Sequence, residues 1–311
     1  MKIRLGNLPP VIRAALWMGG TIVSFLLMMV SARELIDTIS TFEILAFRSG
    51  VALLVLLPVA LRLGSARLAT RRFSLHVTRN VFHLGGQATW VVGITILPLA
   101  QVTVLEFTVP LWAALMAVIF LKEKISRHRA VAVGLGFAGI LIILRPGFGV
   151  FSPVALLVLV GMIGYAISHV ATKQLTRTES AVQIVFYMQA IQFPLALIPA
   201  LLVWTQPEWG DAPWLVFVGM TALSAHYCMT RAMMLADLSV ILPIDFLRLP
   251  CMAVIAWFAY AEPIDPMVLL GAVVIFGGNY HSVREEACAQ RYSVREEARA
   301  QRYSVREKAG S

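Results

Sequence analysis

Apolar residues gather along this chain in long blocks separated by short polar breaks. A helix needs about 20 predominantly apolar residues to cross the hydrocarbon core of a bilayer. Ten blocks approach that length, at 10–32, 41–62, 77–97, 99–121, 129–145, 151–172, 181–203, 213–234, 238–260 and 265–281. Lys2 and Arg4 precede the first block as they would in a signal peptide. Its apolar run from Leu8 to Val30 is too long for a signal core, and no small-residue cleavage site follows, so it counts as a span.

Composition agrees. With 59% hydrophobic and 14% charged residues and a mean hydropathy of +0.79, the chain does not fit the two soluble domains that 311 residues would otherwise suggest. The net charge of +9 would in a soluble protein prompt a search for nucleic acid. In a polytopic membrane protein it records topology, because Lys and Arg collect in cytoplasmic loops. With both termini cytoplasmic, 22 of the 26 basic residues fall on that side, Arg79 among them as part of the second loop. Arg33 and Arg145 face outward, and Arg48 and Arg248 lie within spans. The outer loops carry Asp37, Glu208, Asp211, Glu262 and Asp265. No nucleic-acid partner is expected.

The chain repeats itself. At an offset of 139 residues Ala32 meets Ala171, Phe47 meets Phe186, Glu106-Phe107 meets Asp245-Phe246, Glu123 meets Glu262, and Gly139 meets Gly278. Five spans per copy is an odd number, so the second copy enters the membrane from the opposite side, the inverted arrangement that builds alternating-access transporters. The expected fold is an all-α integral membrane protein of ten transmembrane helices in two inverted five-helix repeats, 1–146 and 147–281. A cytoplasmic tail at 282–311 follows, built of 11-residue units beginning at His281, Tyr292 and Tyr303. One Val and a few Ala per unit are too few to drive a coiled coil, so the tail reads as a solvated extension. The segment from Ser65 to His76 reads as a cytoplasmic loop or as a helix lying on the inner leaflet.

Polar groups inside spans are costly unless paired or facing water, which makes them the candidate site. Glu106 and Asp245 are repeat mates in spans four and nine. Carboxylates held out of water can exchange a proton near neutral pH, so the pair is the candidate for proton coupling or for holding a cationic group. Arg248 follows Asp245 by three residues and shares its helix face, so the two neutralise each other or Arg248 takes a substrate carboxylate or phosphate. Arg48 has no acid at helical spacing in its span; it too could take a substrate carboxylate or phosphate, but a lock on Glu106 or Asp245 is the favoured reading for it. Asn80, His83, Gln87 and Trp90, spaced 3, 4 and 3, form one polar face of span three that lipid cannot satisfy. His226 and Tyr227 in span eight, with Arg231 nearby, are its approximate counterpart, and His169 sits near the inner edge of span six. Pro110, Pro243 and Pro250 remove backbone hydrogen bonds in the helices of the two carboxylates.

Several chemistries lack their parts. Gly134 to Gly139 matches a dinucleotide fingerprint but follows no strand and lies within a span, where close helix packing explains it. Cys228, Cys251 and Cys288 make no metal-ligand spacing, and no phosphate loop, zinc-protease motif or nucleophile elbow occurs. No enzymatic activity, metal or cofactor is expected. A membrane-embedded enzyme or lipid-handling protein using the same polar groups is the alternative.

Two five-span halves, the run from Leu105 to Ser126 followed by VAVGLGFAGILIILRPG, and its echo from Ile244 to Asp265 resemble the EamA-type members of the drug/metabolite transporter superfamily. The resemblance covers about residues 10–281. It implies secondary transport of a small organic solute, such as an amino acid, a nucleoside-like metabolite, a flavin or a drug, across a bacterial inner membrane. It further implies that spans three, four, eight and nine line the central cavity, which is where Glu106, His83, Asp245, Arg248 and His226 lie.

Overall fold

The computed structural model describes residues 10–64, 68–109, 112, 127–145, 152–236, 244–245, 247–278 and 280–281, and among these the chain contains helices and no strand. In the first half these are α1 (Pro10–Leu35), α2 (Thr41–Leu63), α3 (Phe73–Ile96), α4 (Leu99–Glu106) and α5 (Arg127–Leu144). In the second they are α6 (Pro153–Leu175), α7 (Ala181–Leu202), α8 (Ala212–Leu235), α9 (Arg248–Tyr260) and α10 (Pro266–Gly278). Length and hydropathy suit α1, α2, α6, α7 and α8 to crossing a membrane. α3 is as long, with 24 residues, but its polar face dilutes its hydropathy.

The two repeats are visible in their connectors. α1 ends where Thr38 and Ile39 donate their N–H groups to the Leu35 carbonyl, and α6 ends where Thr178 and Glu179 donate theirs to Leu175. Ser40 and Ser180 then cap α2 and α7 by accepting from the N–H three residues on, Glu43 and Gln183 respectively. Before each connector a cation caps the far end of a neighbouring helix. Arg33 donates to the Ile94 carbonyl in the last turn of α3, and Lys173 donates to the carbonyls of Met233 and Ala236 at the end of α8.

These matching connectors lie at opposite ends of the bundle. The first meets Thr205 and Asp211 through Glu43 and Thr38, and Arg33 meets Glu262. The second meets the 68–72 segment, where Thr70 donates to Glu179. We call these the Glu262 end and the Glu179 end. Helix pairing obeys the same exchange, since α1 packs on α8 and α3 on α6, while α2 pairs with α7 and α4 with α9, each with its own counterpart.

Glycine sets the closest crossings. A Cβ on Gly164 would stand 2.5 Å from the Phe82 carbonyl oxygen, so α3 and α6 meet backbone to backbone. α5 and α10 cross at Gly139 and Gly271, each of whose added Cβ would stand 2.8 Å from the other's carbonyl oxygen. The last glycine of the fingerprint-like run is therefore a helix crossing.

Apolar side chains cover the outside of the bundle, Leu54, Val160, Ile198, Leu201 and Phe258 among them, while Arg48, Asn80, His83 and Gln192 are buried within it. That distribution suits a hydrocarbon surround.

Two expectations change here, and one left open is decided. Span four is not one continuous helix, because α4 stops at Glu106, where Phe107 and Thr108 donate tightly to Val104 and Leu105. Span nine is interrupted as well, since Leu247 turns back on Ile244 and α9 begins only at Arg248. Hydropathy runs unbroken through both places, so it gave no sign of the breaks. Residues 69–72 are not helical; Gln183 and Tyr187 of α7 bind the carbonyls of Leu68 and Ala69, which makes this stretch a tucked loop and not a surface helix. The 11-residue units of the tail, Glu123, Pro110 and Pro243 lie outside the described residues.

Candidate functional site

A chain of polar side chains crosses the interior of the bundle. It starts on α3, where Arg79 is 3% exposed and donates from Nε to Thr172 of α6 and from Nη1 to Asn80 Oδ1 at 2.6 Å. Arg79 is thus no loop cation, as the charge tally had it, but an interior group reached by a helix that starts at Phe73. Gln192 of α7 donates to Asn80 Oδ1 at 3.2 Å and contacts His83 Nδ1 at 3.1 Å. Arg48 of α2 completes this end by donating from Nη2 to Gln192 Oε1 at 2.7 Å and to Gln87 Oε1 at 2.6 Å.

Aromatic and imidazole rings carry the chain onward. The His83 and His226 ring centroids lie 4.9 Å apart, Tyr165 of α6 flanks His83, and Phe25 of α1 meets His226 edge-on at 5.5 Å. His169, one turn beyond Tyr165, stacks parallel to it. Phe25 and Phe107 then sandwich Arg248, whose guanidinium carbon lies 5.1 and 5.8 Å from their ring centres.

The far end holds the repeat-mated acids. Arg248 donates from Nη2 to Asp245 Oδ2 at 3.1 Å, and its Nη1 lies 2.8 Å from Glu106 Oε2, an ion-pair contact without the alignment of a hydrogen bond. Two carboxylates thus share one guanidinium, and Asp245 Oδ1 is buried without a partner among the described residues. Trp90 approaches the Glu106 carboxylate, again short of hydrogen-bond geometry. Both acids stand at helix breaks, Glu106 as the last residue of α4 and Asp245 in a helical stretch just before the turn at Leu247 that precedes α9, so backbone polar groups accompany them into the interior.

The structure brings together nine of the ten residues the sequence singled out: Glu106, Asp245, Arg248, His83, His226, Arg48, Asn80, Gln87 and Trp90. Tyr227 is the exception; it points toward α1, edge-on to Trp17, which also receives Arg231. Arg48 is not locked by Glu106 or Asp245, because two glutamine amides occupy it at the other end of the chain. Pro250 breaks no internal hydrogen bond, since it lies in the first turn of α9, where N–H groups have no helical acceptor. Sequence reasoning missed Gln192, Arg79, Tyr165 and Phe25. A glutamine pair at a spacing of three, Gln189 and Gln192, in the middle of the mostly apolar α7 was the available signal for the first.

A second buried polar group lies at the Glu179 end. His76 Nε2 sits 2.5 Å from Glu179 Oε2, and the imidazole stacks on Tyr187. At the opposite end Arg33 pairs with Glu262, Arg145 with Asp265, and the Tyr260 hydroxyl donates to Glu34.

With this geometry in view, comparison with known proteins is informative. A family model described as the EamA-like transporter family matches the chain twice, over residues 12–145 and 152–283. An S-adenosylmethionine uptake transporter of Rickettsia felis is 29% identical over 246 residues, 79% of this chain and 84% of that protein. A riboflavin transporter of Brucella anthropi is 32% identical over 247 residues, 78% of this chain and 87% of that protein. A solved crystal structure superposes with a TM-score of 0.62 at 16% identity, covering 86% of this chain and 96% of the other, and shows the same fold.

Proposed function

Since the chain belongs to the EamA-like transporter family, we propose that it carries a small organic metabolite across a bacterial inner membrane by alternating access, with the solute bound along the interior polar chain. The observation that carries this reading is the continuity of that chain, from Arg79 through Gln192, Arg48 and the two histidines to Arg248 and its acids, inside a bundle whose outer face is apolar. A buried polar path of this length is costly in a membrane and is retained where something polar must enter. The aromatic members suit a flat heterocycle, which both S-adenosylmethionine and riboflavin contain, and these are the first solutes to try.

Protons are the proposed coupling ion. Two carboxylates around one guanidinium leave one negative charge to be balanced, and a proton or a cationic part of the solute balances it. Both termini are taken as cytoplasmic, which makes the Glu262 end the outer one. The repeats at 1–146 and 147–281 are the two bodies that rock about the site.

The test is uptake of labelled S-adenosylmethionine and riboflavin into proteoliposomes, with and without an inward proton gradient. Glu106→Gln and Asp245→Asn are expected to abolish the response to the gradient and to slow uptake about 10-fold or more, the effect of removing a positioned proton carrier. Unchanged rate and unchanged pH dependence in both variants would remove the coupling role from the pair.

A further inference from the structure

Arg48 poses a problem of charge. It is 2% exposed, its Nε and Nη1 atoms are buried without a hydrogen-bond partner among the described residues, and its Nη2 reaches only the two neutral glutamine oxygens. An uncompensated buried cation is strongly unfavourable.

The surrounding helices offer it no acid. α3, α7 and α8, which pack on α2, contain neither Asp nor Glu. The one acid of α2 itself, Glu43, has its two oxygens committed to the N–H groups of Ser40 and Thr205. The ionisable groups those helices do bring near are of the wrong sign or neutral: Arg79 and His83 from α3 and His226 from α8. Among the described residues Arg79 is itself without a carboxylate, held by Thr172 and Asn80. Two guanidiniums linked through Asn80 and Gln192 therefore stand in the same interior region, while both acids of the site lie against Arg248 at the other end of the polar chain.

We propose that Arg48, held by Gln87 and Gln192, is the seat for an anionic group of the transported solute, a carboxylate. This deepens the transport reading above and rests on it. The two glutamines fix the guanidinium through Nη2 and leave Nε and Nη1 without partners among the described residues; these donors point to opposite edges of the guanidinium, so a carboxylate oxygen would take a single charge-assisted hydrogen bond from one of them. The second guanidinium, Arg79, adds to the attraction from behind. The competing role for Arg48 is a brace joining α2, α3 and α7, which would act alike on every solute.

The experiment measures binding to the purified full-length protein of S-adenosylmethionine, of its decarboxylated analogue and of riboflavin, followed by uptake of each in proteoliposomes. Wild type is expected to bind S-adenosylmethionine about 10- to 100-fold more tightly than the analogue, the worth of a hydrogen bond to a charged group. Arg48→Gln should erase that difference, and Arg48→Lys should keep part of it. Equal binding of the carboxylated and decarboxylated forms by wild type overturns the seat without any variant having to fold. So does discrimination that survives in Arg48→Gln. A protein that carries riboflavin but neither adenosyl compound overturns the seat and leaves transport standing, whereas one that carries none of the three overturns both.

Discussion

Arg33 and Arg145 sit on the side of the bundle where basic residues are scarce, and each meets an acid there, Glu262 and Asp265. Asp265 also accepts the Met267 N–H at the start of α10. Burial works against its charge, but the Met267 N–H and the Arg145 guanidinium outweigh that and hold its carboxyl below the usual aspartate value of 3.8. A depressed carboxyl stabilises the fold fully above its unfolded value and loses that contribution as pH falls through the folded one. Wild type is therefore expected to melt above Asp265→Asn in detergent at pH 6 to 7, with the gap closing below about pH 3.8. A gap that stays constant over that range would show that the carboxylate charge is not what the turn uses. From sequence these four residues were expected on one side of the membrane but without their pairing, which joins positions more than 100 apart, whereas the pairing of Arg248 with Asp245 at a spacing of three was legible. Arg48 was not, because its partner Gln192 lies 144 positions away on a helix whose pattern is almost wholly apolar.

At the scale of helices, the number and order of the elements could be read from hydropathy, but their interruptions could not. Glu106 and Asp245 stand where α4 ends and α9 has yet to begin, and apolar residues continue on both sides of each break. Backbone conformation there answers to packing in the interior, which a hydropathy profile does not see. Glycine positions were ambiguous for a related reason, since the same residue type marks a crossing or a neutral site according to the facing helix. Gly164→Ala is expected to destabilise the protein by about 1–3 kcal/mol, because the facing atom is the Phe82 carbonyl oxygen, which cannot step aside without moving α3. Gly134, with nothing within 4 Å of an added Cβ, should accept alanine at no cost or with a gain of up to about 1 kcal/mol in helix propensity. Thermal melting of the two variants in one detergent checks the pair. A Gly164→Ala protein as stable as wild type would mean that the α3–α6 crossing tolerates separation.

For the whole molecule, the exchange of connectors between ends has a mechanical consequence. Thr70 and His76 meet Glu179 at one end, while Arg145 meets Asp265 and Arg33 meets Glu262 at the other. Under alternating access these contacts open in turn, so a covalent tie at either end should arrest the cycle. In a chain whose three cysteines, Cys228, Cys251 and Cys288, are replaced by serine, Thr70→Cys with Glu179→Cys ties one end and Arg145→Cys with Asp265→Cys ties the other. A short, reducible bifunctional thiol reagent joins each pair. Uptake is expected to fall to background in both cross-linked proteins and to return on reduction, while the single-cysteine proteins treated with the same reagent keep their rate. In right-side-out vesicles a membrane-impermeant form of the reagent should join only the Arg145 and Asp265 positions, because that end is taken as outer. Joining only the Thr70 and Glu179 positions would reverse the orientation, and full transport by a protein completely linked at either end would rule out a cycle that opens the two ends in turn.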